Sequence, residues 1–328
     1  MKRVLSGIQS SGKLHLGNYL GAMTQYVEMQ HDHDCYFFIA NYHALTTIHD
    51  GETLASFTRD VALDYLAVGL DPEKCTLFRQ TDVPEVTELT WILSTVTGKG
   101  LLERATSYKD KVAKNIAATM GLFCYPVLMA ADILIYRADL VPVGKDQKQH
   151  VEMAADMAGY LNQAVNREVL KIPGIRLNKA MIVPGVDGQK MSKSYGNTIE
   201  LFDTPKKIRK RIMGIKTDST ALEDPKDPDT CNVMAIYRLL ATDEEVAELE
   251  ARYRTGGMGY GDAKKCLADV VERELAPAWS KRAELEKDPD FVEDVLATCG
   301  RRARAVASEV MAEVRDALGL LVAKETHR

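Results

Sequence analysis

The chain has 328 residues, of which 46% are hydrophobic and 27% charged, with a formal net charge of −5. That length suits one large domain plus a smaller one, with enough apolar residues for a sizeable core and no need of covalent staples. The acidic total excludes a uniformly basic nucleic-acid coat, although Lys and Arg gathered on one face can still hold RNA.

Arg3 to Ile8 is a short apolar run interrupted by Ser6 and Gly7, and it predicts a first buried strand. SSGKLHLGNYLGA then opens on serines suited to helix capping and turns amphipathic, which predicts a loop running into a helix. Cys35 to Ala40 is continuous in apolar residues, as strands of a parallel sheet are. Glu52 to Val68 has helical periodicity and ends near Gly69. Cys75 to Arg79 predicts a third strand, and Val83-Pro84-Glu85 opens another helix. Strand and helix in alternation predict an α/β fold with a doubly wound parallel sheet of Rossmann type. From about Asp203 onward strands disappear, and the segments after Pro205, Thr242, Gly261 and Pro289 predict helices. The expected division is a catalytic nucleotide-binding domain over 1–198 and a helical domain over 199–328, whose last helix has the option of packing back on the first.

Cys35, Cys75, Cys124, Cys231, Cys266 and Cys299 form no CxxC pair, so neither a zinc knuckle nor a redox motif is suggested. They read as reduced, mostly buried thiols of a cytoplasmic protein. The N-terminus lacks a long apolar stretch, and no segment reaches the length of a membrane span.

Three clusters carry chemistry. His15-Leu16-Gly17-Asn18 lies where a strand gives way to a helix start, a natural place for phosphate. His15 and Asn18 share a face if helical, and Gly17 lets a flat ring or a phosphate approach the backbone. Alone, a His and an Asn near a helix start are more often a cap and a surface residue. Lys190-Met191-Ser192-Lys193-Ser194 sets two lysines around small hydroxylated residues near Gly185, Gly188 and Gly196. Such ammonium groups suit a polyphosphate whose charge grows on a leaving pyrophosphate, but an isolated KxxK is more often a solvated loop. Tyr125, Met129 and Asp132 fall on one face of one helix at i, i+4 and i+7. An aromatic ring, a thioether and a carboxylate there make a slot for a planar apolar ring with one N–H, such as indole. The competing reading is a core helix whose Asp132 pairs with a neighbour.

HLGN and KMSKS together resemble the two signatures of class I aminoacyl-tRNA synthetases. GIQSSGKLHLGNYLGA, YPVLMAADILIY and PVGKDQKQHVEMAADMA resemble the tryptophanyl-tRNA synthetase family across the catalytic half, with thinner similarity at Arg302 to Leu320. The resemblance implies that His15, Asn18, Lys111, Lys190 and Lys193 stabilise the charge on the phosphates. It implies an ATP site made also from Gln9, Ser10, Ser11, Gly17, Gly144, Lys145 and Asp146. Met181, Ile182, Met191, Ser192 and Ser194 complete that site, with adenine near Met181 and Ile182. Asp132 matches the acceptor of the indole N–H. Leu5, Gly7, His43, Tyr125, Met129, Val141, Val143 and Gln147 are the remaining tryptophan contacts. The sister tyrosyl family tends to place a glutamine shortly before the matching aspartate, whereas Met129-Ala130-Ala131 stands here.

Three departures from the family pattern are visible. Ser10 replaces a usual proline, Leu5 a common phenylalanine, and Asn41-Tyr42 a common Asp-Gln pair. The implied partners are L-tryptophan, ATP carrying its Mg²⁺, tRNA(Trp) and a second copy of the chain. No metal held by the protein itself is expected, and no inserted editing domain. The resemblance makes the helical domain over 199–328 a tRNA anticodon-binding domain, with Lys206 to Arg211 and Arg301-Arg302-Ala303-Arg304 as candidate contacts to tRNA phosphates or the anticodon. The readings set beside a tryptophan–tRNA ligase are a tyrosyl enzyme, a nucleotidyltransferase acting on a small molecule, and a non-catalytic or auxiliary paralogue.

Overall fold

The computed structural model describes residues 1–105, 119–144, 147–177 and 183–320. The described strands are β1 (Arg3–Ile8), β2 (Asp34–Ile39), β3 (Cys75–Arg79), β4 (Leu140–Val143) and β5 (Gly174–Leu177). They form one parallel sheet in the order β3-β2-β1-β4-β5. The doubly wound α/β expectation holds. β2 carries its unbroken apolar run because both faces of the sheet are covered, and Phe37 and Ile39 are fully buried. β5 escaped the sequence reading because Gly-Ile-Arg-Leu is too short and too mixed to stand out.

The helices that cover the sheet are α1 (Gly51–Ala67), α2 (Glu85–Val96), α3 (Met120–Leu134) and α4 (Lys148–Ala164). Asp50 caps α1 by accepting from the Thr53 N–H, and Thr119 caps α3 at Leu122. Ser10 and Ser11 do not cap the helical segment that begins at Leu16. Ser10 is fully buried and accepts from the Thr58 hydroxyl. The Asn18 side chain instead reaches back to accept from the His15 N–H at 3.1 Å.

Beyond the sheet lie α5 (Pro205–Met213), α6 (Asn232–Tyr237), α7 (Asp243–Thr255), α8 (Tyr260–Leu285) and α9 (Pro289–Ala317). The sequence reading missed α6, whose six residues are too few to show a period. Main-chain bonds Leu16 N to Ile199 O and Leu201 N to Leu14 O tie the start of this half to the segment that contains His15. Arg282 of α8 pairs with Asp60 and Asp64 of α1. α9 docks on the sheet side through Arg304 to Glu85 and Arg315 to Glu88. The basic run at 301–304 is therefore partly a docking surface, since Arg302 also donates to the Pro72 carbonyl. By contrast, Lys206 and Lys210 on α5 are exposed.

No described helix is long and apolar enough to cross a membrane. All six cysteines are free, with Cys35, Cys75, Cys231 and Cys299 buried and Cys124 and Cys266 half-buried. Burial pushes the Cys35 and Cys75 thiols up to about 12, which makes them inert packing groups at neutral pH.

Candidate active site

The strand order reverses between β1 and β4, and open α/β sheets form their crevice at the carboxyl ends beside such a reversal. β1 is the central strand, yet its Gly7 is exposed while Val4, Leu5 and Ser6 are buried. An opening therefore reaches the middle of the sheet at the expected place. A Cβ on Gly7 would stand 2.5 Å from the Phe38 ring, so the strand has room here for backbone only. Leu5, Val141 and Val143 are buried along β1 and β4.

Asp132 on α3 is 1% exposed and accepts three hydrogen bonds. His43 Nε2 lies 2.9 Å from Oδ2, and Gln80 Nε2 lies 2.8 Å from both oxygens. A carboxylate only accepts, so His43 carries its proton on Nε2. Burial pushes the Asp132 carboxyl upward, and the bonds from His43 and Gln80 oppose that shift. A carboxylate offers about four lone-pair sites, so three bonds leave capacity for one further donor. The core-pairing reading of Asp132 is thus realised, with His43 and Gln80 as the paired neighbours.

Around this carboxylate the other side chains interlock. Gln9 donates to the His43 carbonyl at 2.9 Å, and the His43 and Tyr125 rings meet edge-on with centroids 6.4 Å apart. The Tyr125 hydroxyl bonds His150 Nε2 at 2.8 Å. Met129 is half-buried on the same face of α3, and Gln147 is half-buried at the start of α4. Asn41 and Thr81 bond each other in both directions, through Asn41 Nδ2 to Thr81 Oγ1 and Thr81 N to Asn41 Oδ1. The Tyr42 N–H donates to Gln80 Oε1 at 3.0 Å. The Asn41-Tyr42 departure is therefore built into the support of Gln80.

The segments of His15 and Lys193 also meet. Lys193 Nζ donates to the Gly12 carbonyl at 2.8 Å, and the Gly17 N–H points at Met191 Sδ at 3.3 Å. Burial, and then the nearby Lys193 charge, lowers His15 to about 4, so its imidazole is neutral at pH 7. Its Nδ1 is buried with no hydrogen-bond partner among the described residues. A Cβ on Gly17 would come within 2.9 Å of that same nitrogen. Asn18 uses its oxygen as a cap and keeps its NH₂ as a donor pair.

The lysine-bearing loop is stapled by Asn197, which is 2% exposed. Its Oδ1 accepts from Ser192 N at 2.8 Å, and its Nδ2 donates to Asp187 Oδ1 at 2.7 Å and the Lys190 carbonyl at 3.1 Å. Ser192 and Ser194 hydroxyls bond each other at 2.9 Å. Lys190 and Ser194 are exposed and Ser11 is half-buried, and no hydrogen bond among the described residues joins them to the His15 segment. Gly144 is described, whereas Lys111, Lys145, Asp146, Met181 and Ile182 lie outside the described residues.

Sequence reasoning missed Gln80 and Asn197. Each is an amide that no motif marks, and its burial is the signal, visible only in three dimensions. Among the described residues no group of three His, Cys, Asp or Glu side chains gathers as a metal site.

Comparison with known proteins places these features in a family. The family model described as tRNA synthetases class I (W and Y) matches residues 1–276. A tryptophan–tRNA ligase of Fusobacterium nucleatum is 52% identical, covering 98% of this chain and 99% of the relative. One from Rhodopirellula baltica is also 52% identical, covering 97% of this chain and 99% of its own. The crystal structure of Campylobacter jejuni tryptophanyl-tRNA synthetase, complexed with ADP and tryptophan, superposes with a TM-score of 0.92. That structure is 48% identical and covers 97% of this chain and 100% of its own.

Proposed function

This chain belongs to the class I tryptophanyl-tRNA synthetases, and we propose how its residues carry the two half-reactions of a tryptophan–tRNA ligase. The observation that carries the assignment is Asp132, a buried carboxylate whose bonds from His43 and Gln80 leave one acceptor site unused among the described residues. Indole nitrogen only donates, so it matches that vacancy, and Met129 and Tyr125 supply the apolar flanks. A phenol hydroxyl needs to donate and accept, and no amide stands where the tyrosyl family would put one.

In the first half-reaction the tryptophan carboxylate attacks the α-phosphorus of ATP in line. A P–O bond forms to give tryptophanyl-adenylate, and the α–β bridge breaks to release pyrophosphate. The chain's part is positioning and charge stabilisation. Lys190 and Lys193 face the departing phosphates, neutral His15 and the Asn18 NH₂ donate to their oxygens, and Lys111 joins them. Gly144, Lys145, Asp146 and Gln147 hold the ribose and the polar end of the amino acid. Mg²⁺ arrives on the triphosphate as part of the substrate. In the second half-reaction the 2′-hydroxyl of the terminal tRNA adenosine attacks the activated carbonyl and AMP leaves.

Lys206 and Lys210 on α5 are the better of the two basic candidates for tRNA phosphates, because Arg302 and Arg304 already serve the docking of α9. The working unit is a homodimer in the cytoplasm, with exposed Trp91 and Met120 on the packed helices α2 and α3 as the apolar face for a second copy.

The test is amino-acid-dependent exchange of labelled pyrophosphate into ATP, run with each of the twenty amino acids on wild type and Asp132→Ala. Exchange with tryptophan alone, lost in the variant, is the expected result. Exchange with tyrosine would overturn the reading of Asp132 as an indole acceptor. No exchange with any amino acid would leave only a non-catalytic role.

A further inference from the structure

Gln80 is 1% exposed and holds both oxygens of Asp132, so what fixes Gln80 fixes the acceptor of the pocket. It opens the short 3₁₀ turn Gln80–Asp82 at the end of β3. Within the turn, the Arg79 N–H donates to Asp82 Oδ2 at 3.0 Å and Arg79 Nε reaches the same carboxylate. The far end of the Arg79 guanidinium makes a two-bond fork with Glu293 of α9, at 2.9 and 2.7 Å.

α9 touches the turn a second time at Gly300. A Cβ there would come 2.8 Å from Asp82 Cβ and 3.0 Å from its Oδ2, closer than real side chains approach. Gly300 is helical and buried, so the backbone angles do not demand glycine at this position. What demands it is the distance between the helix and the turn. Residues 293 and 300 stand two helical turns apart on one face, so α9 grips the turn at two points along one line.

We propose that Gly300 and Glu293 are positioning residues for tryptophan, setting from the C-terminal helix the turn that aims Gln80 at Asp132. This rests on the reading of Asp132 as the indole acceptor. It places part of the control of amino-acid binding in the half of the chain that carries no catalytic motif.

The test is pyrophosphate exchange with Gly300→Ala and Glu293→Gln, titrating tryptophan and ATP separately, in wild-type and Gln80→Met backgrounds. Gly300→Ala is expected to raise the tryptophan KM roughly tenfold, inside the hundredfold that a ~1 Å misplacement can cost. The ATP KM is expected to stay within about twofold. In the Gln80→Met background the Gly300→Ala effect should vanish, since residues acting through one another are not additive. Glu293→Gln changes an exposed side chain without adding bulk, and should raise the same KM by a smaller factor. It decides the matter, with its own cycle against Gln80→Met, if Gly300→Ala does not fold. Parallel rises in both KM values, or full additivity with Gln80→Met, would overturn the proposal. If Asp132→Ala loses tryptophan while Gly300→Ala and Glu293→Gln behave as wild type, only the positioning role fails. If Asp132→Ala keeps its preference for tryptophan, the underlying reading of the pocket fails instead.

Discussion

Lys193 and Gly12 are 181 residues apart in sequence, and the lysine ammonium donates to the glycine carbonyl at 2.8 Å. The bond joins the loop of the second signature to the loop that precedes the first. Burial lowers the Lys193 ammonium from its ordinary value, while Asp64 and Glu200 act in the opposite direction. The phosphate role proposed above asks this ammonium to exchange that carbonyl oxygen for a phosphate oxygen.

Lys193→Gln keeps much of the volume and removes the charge. Loss of one preorganised donor to developing charge typically costs about 10²–10³ in kcat. The expected result is a fall of that order in pyrophosphate exchange, with the tryptophan KM nearly unchanged. A tryptophan KM that moved as much as kcat would argue that Lys193 supports the fold of the pocket and not the phosphate chemistry.

His15 supplies a prediction with a definite sign. Its value is lowered to about 4 in the folded chain against 6.5 for the free side chain, chiefly by burial. Between those two values the unfolded chain binds the proton and the folded chain does not, so stability rises with pH across that window and levels off above it. Urea unfolding at pH 7 and pH 5 should show wild type losing about 2 kcal/mol more than His15→Gln over that interval. Equal losses would show that His15 titrates normally when folded.

The joint between α8 and α1 titrates in the other direction. Arg282 donates to Asp64 at 2.5 Å, Asp60 at 2.7 Å and Glu286 at 3.0 Å, and its guanidinium lies over the Phe202 ring. Burial pushes Asp64 up to about 7, and Arg282 opposes this while its charge is shared among three carboxylates. With a folded value above the unfolded one, Asp64 draws stability down as pH rises from about 4 to about 7. Arg282→Met removes the opposing charge and extends that decline past neutrality. Breaking such a buried pair costs about 3–5 kcal/mol, so thermal unfolding should show a large deficit that is greater at pH 8.5 than at pH 6. A deficit independent of pH would mean that Asp64 is not the group left exposed to the loss.

Trp91 is 71% exposed on α2, as is Met120 at the start of α3. Trp91→Glu places a charge on the proposed contact between copies and should shift sedimentation from dimer towards monomer, with pyrophosphate exchange falling alongside. A wild type that sediments as a monomer would remove this interface and leave the exposed Trp91 without a role in assembly.

The sequence by itself determined β1, β2, β3, α1 and α2, because each rests on a local apolar period that neighbouring residues share. It also determined the shared face of Tyr125, Met129 and Asp132, since spacing along one helix is a local property. The tertiary structure alone decided what Asp132 touches. Gln80 stands 52 residues away with nothing in its surroundings to mark it, and Gly300 is an ordinary helical glycine until Asp82 is brought against it. It also decided that Arg302 and Arg304 dock a helix instead of standing free, and that Asn18 closes a cap. Periodicity records which face of an element is buried, but partner identity depends on how elements approach one another, and that geometry is set by the packing of the whole chain.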